Sequence, residues 1–564
     1  KSLERGEPFY QSGISNFLEA DYFSWYLEDQ HSYVINSIRV MFKKFEMFDV
    51  STLSVDPFQT SDLLKNLYQI LIPRQIRHDL GEYYTPDWLA EFVIEEMKIG
   101  EDSEQMRVLD PSCGTGTFIS LAIRKTRRIL FSQGKSEYDV LKGVLHNVVG
   151  MDLNPVAVIA ARTNYLIGLN TSLAALRERG EQIALPIYMC DSLLSPKEDD
   201  KLLGNQYRML TSVGEMTFPA NLGDSVTFEK FYDALNSSLE ADVTVVGFES
   251  LLKKKGFKEE VDGLVELYAR LLDLHKKGRN GIWANIIKNS FAPMLIGRFD
   301  YIAGNPPWIN WEHLPEQYRS NLSFLWEKYG LFDLKGMASI MGGSKRDLSA
   351  LFTYVCIDHF LKPSGKLGFV IPQTLFKNVQ SAEGFRKFNL YGKNNFKVTR
   401  ADDMVDLKPF DAANRTAVIF IKKGKQTEYP VPYKIWQKKV KKNFDNSLTL
   451  EEVKAMSSVA NCAACPIDSK NFKSPWLTLP AEVVKLAKKY LGNSSYRAIE
   501  VANSGGLNGF YFIKIKGRRQ GDFLIQNCRE RIKVAVPKIE ESIEGDYIYP
   551  MLMGREVDCF SASS

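Results

Sequence analysis

Repeatedly along this chain a short apolar run stops at an acidic or amide side chain, turns, and gives way to a helix. "MRVLDPSCGTGTFISLAIRKTRRIL" reads as a strand ending at Asp110, a glycine-bearing turn, and an amphipathic helix opened by Thr117 or a neighbour. "NVVGMDLNPVAVIAARTNYLIGL" repeats the plan, with Asp152 at the strand end, Asn154 as the N-cap and Pro155 in the first helical position. A third strand, in "LPIYMCDSLLSP", ends in Asp191, and a fourth, "FDYIAGNPPWIN", runs from Phe299 into Asn305 and two prolines. Apolar strands alternating with helices predict a doubly wound, mostly parallel α/β sheet covered on both faces. In such a sheet the carboxyl ends of the strands border one crevice, where ligands bind.

The side chains set along that crevice define its chemistry. Gly114 and Gly116 carry no Cβ and let a ligand approach the backbone closely. The spacing fails the GxGxxG pattern of dinucleotide folds, and Asp110 beside the turn would repel a pyrophosphate but pair with an amino group. An acid such as Asp152 at the end of the second strand is where a ribose diol is commonly held. One aspartate ending a strand is often only a turn-former; three in succession with a glycine turn predict a nucleoside site. Upstream, "GEYYTPDWLAEF" predicts a helix capped by Thr85, with Pro86 first and Asp87 in its first turn. The N–H groups of such an end, near Tyr83 and Tyr84, suit a carboxylate or phosphate.

The fourth strand carries a different chemistry. The side-chain oxygen of Asn305 and the ring-fixed carbonyl of Pro306 together can accept both hydrogens of an amino group on a planar ring. Such a group is poorly nucleophilic because its lone pair is delocalised. Acceptors on both hydrogens favour its pyramidal form and stabilise the charge that develops on attack, so no base of shifted pKa is needed. Trp308 offers a stacking platform, worth roughly 1–3 kcal/mol per base, and Pro306 and Pro307 hold the groups rigid.

Taken in order, "GEYYTP", "DPSCGTGTF" and "GNPPW" resemble the motif set of the adenine-specific DNA methyltransferases of restriction–modification systems, in the arrangement called gamma. The resemblance extends over essentially the whole chain, through "GISNFLEADYFSWYL", "LKPSGKLGFVIPQTLF", "FDAANRTAVIF" and "IYPMLMGREV", and is closest to large single-chain forms. It implies transfer of a methyl group from S-adenosyl-L-methionine to the N6 amino group of an adenine flipped out of DNA. It sets the methionine end of the cofactor near Tyr84, Thr85 and Asp110. Gly114 and Gly116 would lie beneath it, Asp152 would hold the ribose hydroxyls and Asp191 the adenine's amino group, with Pro111, Phe118 and Ser192 also among the implied cofactor-binding residues. Asn305, Pro306, Pro307 and Trp308 are the implied catalytic set. A seven-stranded sheet with an antiparallel strand near "TAVIFIKK" is also implied, and no metal.

The expected organisation is a helical region over 1–80, where apolar residues recur at helical spacing, a catalytic domain over 81–425 with a helical insertion at 197–298, and the start of a DNA-recognition region over 426–564. The net charge of +4 gives no whole-molecule argument for nucleic acid, so a polyanion site must be local. Two basic stretches qualify: "KIWQKKVKKNF", with Lys438, Lys439, Lys441 and Lys442, and "IKIKGRRQ", with Lys514, Lys516, Arg518 and Arg519. A solvated basic face is the plain alternative. Scattered cysteines, including the isolated pair Cys462 and Cys465, read as unligated thiols of a reducing cytoplasm. No apolar segment reads as a membrane span.

The chain begins at Lys1 and reads as a fragment. Double-stranded DNA is the expected partner, with restriction or specificity subunits as further candidates. A metal-binding nuclease motif is not evident, so a nuclease is expected outside this chain or on another subunit. Two rivals are a methyltransferase for RNA or protein glutamine, and a non-catalytic, cofactor-sensing DNA-binding subunit. C5-cytosine chemistry lacks its cysteine, since Cys465 precedes Pro466 rather than following it.

Overall fold

A computed structural model of the chain describes residues 6–18, 32–47, Lys65 and most of 84–491. Breaks fall at 102–105, 171, 196–205, 212–213, 259–260, 277–282, 332–345, 380, 391–393, 411–414, 442–443 and 445–447. It then describes 508–519, 521–529, 536–549, 557–558 and 561–562. Two compact units result, Lys1–Tyr490 and Leu491–Ser564. In the first 80 residues the described parts include helices at Glu7–Gln11 and Ser32–Phe45; most of the expected helical region lies outside the described residues, as does Tyr83.

The first unit is built on one large sheet. Its founding strands are β1 (Val108–Asp110), β2 (Val148–Asp152) and β3 (Ile187–Met189), paired in parallel in the order β3-β2-β1. A hairpin, β4 (Gln206–Thr211) and β5 (Gly214–Pro219), stands outside the sheet. Then β6 (Phe299–Gly304) returns to the other side of β1, also parallel, and β7 (Leu361–Pro372) pairs parallel with β6. Every residue of β1 and β6 is buried, as helix-covered parallel strands require. The strand order reverses between β1 and β6, so the crevice above their carboxyl ends is the topological switch point.

Beyond β7 come β8 (Asn389–Leu390), β9 (Asn394–Asp403) and β10 (Thr416–Lys423). As expected, "TAVIFIKK" forms an antiparallel strand: β10 lies between β7 and β9 and is antiparallel to both. The sheet does not stop at seven strands, however. Strands β11 (Val431–Lys438), β12 (Ser457–Pro466) and β13 (Trp476–Leu479) extend it from β9, so the ladder continues past the boundary expected at 425 and reaches Leu479. Cys462 and Cys465 lie three residues apart on β12, hence on opposite faces, and do not form one ligand pair.

Helices cover the sheet where the sequence caps them. Asn154 accepts hydrogen bonds from the N–H groups of Val156 and Ala157 and opens α3 (Pro155–Leu169), as read from sequence. Helix α2 (Thr117–Ser132) starts after Gly116, whose φ is +97°. Helix α1 (Asp87–Glu96) begins one residue later than expected: Pro86 is the N-cap, and no side chain caps it. Thr85 is instead buried.

Gly116 stands where a Cβ would lie 3.3 Å from the Ala161 Cα of α3. Its missing side chain therefore serves helix packing and backbone geometry. Gly116→Ala is expected to lower stability by about 1–3 kcal/mol, read as a lower urea midpoint at unchanged slope.

The insertion carries the expected helices, α4 (Ser225–Glu240), α5 (Val245–Lys254), α6 (Val261–Lys276) and α7 (Trp283–Leu295), together with the β4–β5 hairpin that helical periodicity did not reveal. Their apolar residues, among them Tyr207, Phe218, Phe231, Tyr268 and Phe291, form a core separate from those flanking the sheet.

Candidate active site at the carboxyl ends of β1, β2, β3 and β6

A cavity of about 570 Å³ opens at the switch point. From the crevice residues singled out in the sequence it gathers Tyr84, Thr85, Asp110, Pro111, Gly114, Phe118, Asp152, Asp191, Ser192, Asn305 and Pro307. Gly116, Pro306 and Trp308 do not line it.

Its floor is a set of loops bound to each other across long stretches of sequence. The Ser112 hydroxyl donates to the backbone carbonyl of Asn305 at 3.3 Å, tying the loop after β1 to the loop after β6. Ser192 donates to the carbonyl of Pro111 at 2.5 Å, tying the loop after β3 to the same turn. Ser192 is thus engaged with the protein backbone.

Each carboxylate holds part of this frame. One oxygen of Asp152 accepts the Gly114 N–H at 2.8 Å and the other the Asn154 N–H at 2.8 Å, which fixes the glycine turn against β2. Asp191, two residues beyond β3, accepts the Leu193 and Leu194 N–H groups through Oδ1, at 2.8 and 3.1 Å. Asp110 is buried, and its Oδ1 accepts the Ser112 N–H at 3.1 Å. Burial drives its carboxyl well above the usual carboxylate range; the Ser112 N–H opposes that rise and the nearby Asp152 charge adds to it. A Cβ on Gly304 would come within 2.6 Å of Asp110 Oδ1, so the glycine before Asn305 lets β6 lie close beside this acid.

Asn305 reaches the cavity from the end of β6. Trp308 does not stand beside it as an open platform. It is 7% exposed, its indole N–H donates to the Val370 carbonyl at 3.3 Å, and its ring meets Phe410 edge-on at 5.3 Å between centroids. The ring is thus packed in the core beside Phe410 and is not part of the cavity lining. Trp308→Ala is expected to cost about 3–5 kcal/mol of stability, read by denaturant unfolding; a variant folded as well as the parent but weakened toward DNA would support the stacking role.

Sequence reasoning missed the opposite wall. Ile309, His313, Leu314, Pro315 and Tyr318 line it from the segment after Trp308, which leads into α8 (Glu316–Lys328), and Leu348 and Phe352 line it from α9 (Leu348–Val355). The two segments are stitched by the Trp311 N–H to the Arg346 carbonyl at 2.8 Å and the Leu348 N–H to the Ile309 carbonyl at 2.9 Å. Cys113 and Ser112, inside "DPSCGTG", line the floor.

The basic residues fall in separate units. Lys438 ends β11 with its ammonium 5.1 Å from the Phe444 ring centre, and Lys439 and Lys441 are exposed; Lys442 lies outside the described residues. In the second unit Lys514, Lys516, Arg518 and Arg519 are exposed on β14 (Ile513–Arg519), which pairs with β15 (Asp522–Asn527) and, through it, with β16 (Glu540–Ile543). Arg518 stacks over Phe523 at 4.7 Å. None of these residues lines the cavity.

Among the described residues no three His, Cys, Asp or Glu side chains are grouped as a metal site, and no helix is long and apolar enough to cross a membrane.

Residues 146–410 match the Eco57I restriction-modification methylase family, and residues 59–203 match the N-6 DNA methylase family. The curated adenine-specific methyltransferase PglX of Streptomyces coelicolor is 28% identical over 158 residues, 26% of this chain and 13% of PglX. A nuclease-deletion mutant of the Type ISP restriction-modification enzyme LlaGI, solved with a DNA substrate mimic, shares 12% identity over 83% of this chain and 33% of its own, with a TM-score of 0.40. A modification subunit of a putative type I restriction enzyme from Vibrio vulnificus shares 14% identity over 74% and 63%, with a TM-score of 0.34. The chain thus spans about an eighth of the curated relative and a third of the LlaGI chain.

Proposed function

We infer that this chain, which carries the methylase signatures of adenine-specific N6 DNA methyltransferases, is the modification part of a restriction–modification or related phage-defence enzyme. The observation that carries the reading is the convergence of Asp110, Asp152, Asp191 and Asn305 on one cavity at the switch point, with the family matches covering the same residues.

The cavity fits S-adenosyl-L-methionine by its donor set. It has an acid for an ammonium, an acid beside a glycine turn for a ribose, and an acid with hydrophobic neighbours for an adenine. Asp110 with Tyr84 and Thr85 would hold the amino-acid end, Asp152 the ribose hydroxyls, and Asp191 the adenine amino group. When bound, that cofactor supplies an electrophilic methyl group.

The rest of the chemistry belongs to the chain. Asn305 accepts one hydrogen of the target adenine's amino group, which localises the nitrogen lone pair and stabilises its developing charge; the Pro306 carbonyl, next in the chain though outside the cavity lining, is the proposed acceptor of the other. The Ser112 hydroxyl on the Asn305 carbonyl fixes the backbone from which the amide projects. Because the amino group attacks before it loses its proton, no general base is required. The buried Asp110 and the apolar wall of Ile309, Leu314, Leu348 and Phe352 keep water from competing. The adenine must leave the duplex to reach Asn305, at a cost of a few kcal/mol. Phosphate contacts are proposed for Lys438, Lys439 and Lys441 at the end of β11 and for the exposed lysines and arginines of β14, and double-stranded DNA, with separate restriction or specificity subunits, as the partners.

The test is transfer of labelled methyl from S-adenosyl-L-methionine to unmethylated genomic DNA, followed by nucleoside analysis. Label on N6-methyladenine is expected. Label on RNA or on protein glutamine instead would move the substrate class, and cofactor binding without transfer to any acceptor would favour a non-catalytic, cofactor-sensing subunit.

A further inference from the structure

Tyr318 stands in the first turn and a half of α8 and donates its hydroxyl to Asp191 Oδ2 at 2.8 Å. Both residues line the cavity. Oδ1 of the same carboxylate is occupied by the Leu193 and Leu194 N–H groups. A carboxylate has about four acceptor positions. Two backbone donors take both positions on Oδ1, and Tyr318 takes one of the two on Oδ2. What is left is one acceptor position on an oxygen whose orientation is fixed from both ends.

That is the requirement for reading an exocyclic amino group. A carboxylate free to rotate would accept from an amino group or, once protonated, donate to a carbonyl in the same place. One pinned by three donors presents its remaining acceptor position in a fixed direction, and a carbonyl brought against it is repelled. Burial and the adjacent Asp191 charge both push the Tyr318 hydroxyl upward in pKa, so it stays a donor through the physiological range.

The position of Tyr318 in the chain adds a second property. Ile309, His313, Leu314 and Pro315, between Trp308 and α8, themselves line the cavity. The segment that delivers Tyr318 to Asp191 is therefore continuous with the one that carries Asn305. We propose that Tyr318 is a positioning residue that fixes Asp191 to select the 6-amino group of the cofactor's adenine. The proposal rests on the cofactor reading given above.

The test measures binding of S-adenosylhomocysteine and S-inosylhomocysteine by calorimetry to the parent chain and to Tyr318→Phe. The second ligand replaces the 6-amino group by a carbonyl. The parent is expected to prefer the adenosyl ligand by about 30-fold or more, the size of a hydrogen-bond acceptor left facing an acceptor. Tyr318→Phe is expected to reduce that preference to within about threefold, mainly by weakening the adenosyl ligand, and to raise the cofactor KM about tenfold with kcat at saturation little changed. An undiminished preference in a Tyr318→Phe protein whose unfolding midpoint matches the parent overturns the proposal. So does a fall in kcat without a change in KM. Failure of the parent to bind S-adenosylhomocysteine would instead defeat the cofactor reading, and Asp191→Asn supplies the independent check, since it should abolish the preference with Tyr318 intact.

Discussion

Asn305→Ala is expected to reduce methyl transfer by about 100- to 1,000-fold, the usual effect of removing one preorganised group that stabilises charge in a transition state. Cofactor affinity should change by less than about threefold, because the loss is confined to the chemical step. The reasoning is geometric. The amide projects from the end of a fully buried strand, and its backbone carbonyl is held by Ser112, so removing the side chain empties the position without releasing the loop. Single-turnover transfer to DNA, paired with cofactor calorimetry, separates the two quantities. A parallel tenfold loss in both would mean that Asn305 supports the cofactor pocket rather than the reacting amino group.

The second large effect concerns Asp110 and has a sign that can be worked out. In the free protein burial holds this carboxyl well above the ordinary range, reinforced by Asp152. On the proposed reading the ammonium of the cofactor would bind the carboxylate form, so binding would release a proton wherever the free protein carries one. Affinity should accordingly rise with pH, up to tenfold per unit, and level off above the pKa of the free protein. Calorimetry in buffers of different ionisation enthalpy would count the proton. Asp110→Asn removes both the charge and the linkage. It is expected to weaken the cofactor by about 1.5–3 kcal/mol, the range for a hydrogen bond to a charged group, and to make the remaining affinity independent of pH over that interval. A parent protein with flat pH dependence would mean that Asp110 is already ionised, or that it does not meet the ammonium.

The parts of this architecture written in local patterns were legible without coordinates. Apolar runs stopping at Asp110 and Asp152, and the Asn154–Pro155 start of α3, follow from strand burial and helix capping over a few residues. The antiparallel strand Thr416–Lys423 came from family likeness rather than periodicity. What stayed hidden is non-local. Ser112 finds Asn305 across 193 positions and Ser192 finds Pro111 across 81, and a serine in a turn carries no mark of such a partner. The wall from His313 to Tyr318 lies downstream of the motif, in a stretch whose composition is that of an ordinary helix start. That Trp308 packs in the core was not legible, because an aromatic beside a binding loop and an aromatic in a core look the same in sequence. "KIWQKKVKKNF" reads by its charge as a surface, yet its start belongs to β11, where Val431, Tyr433 and Trp436 are buried in the main sheet.

The region from β4 to α7 buries Phe218, Phe231, Tyr268 and Phe291 against one another, in a core shared with neither face of the sheet. Substitutions inside that core are therefore expected to loosen this segment before they loosen the paired strands of the sheet.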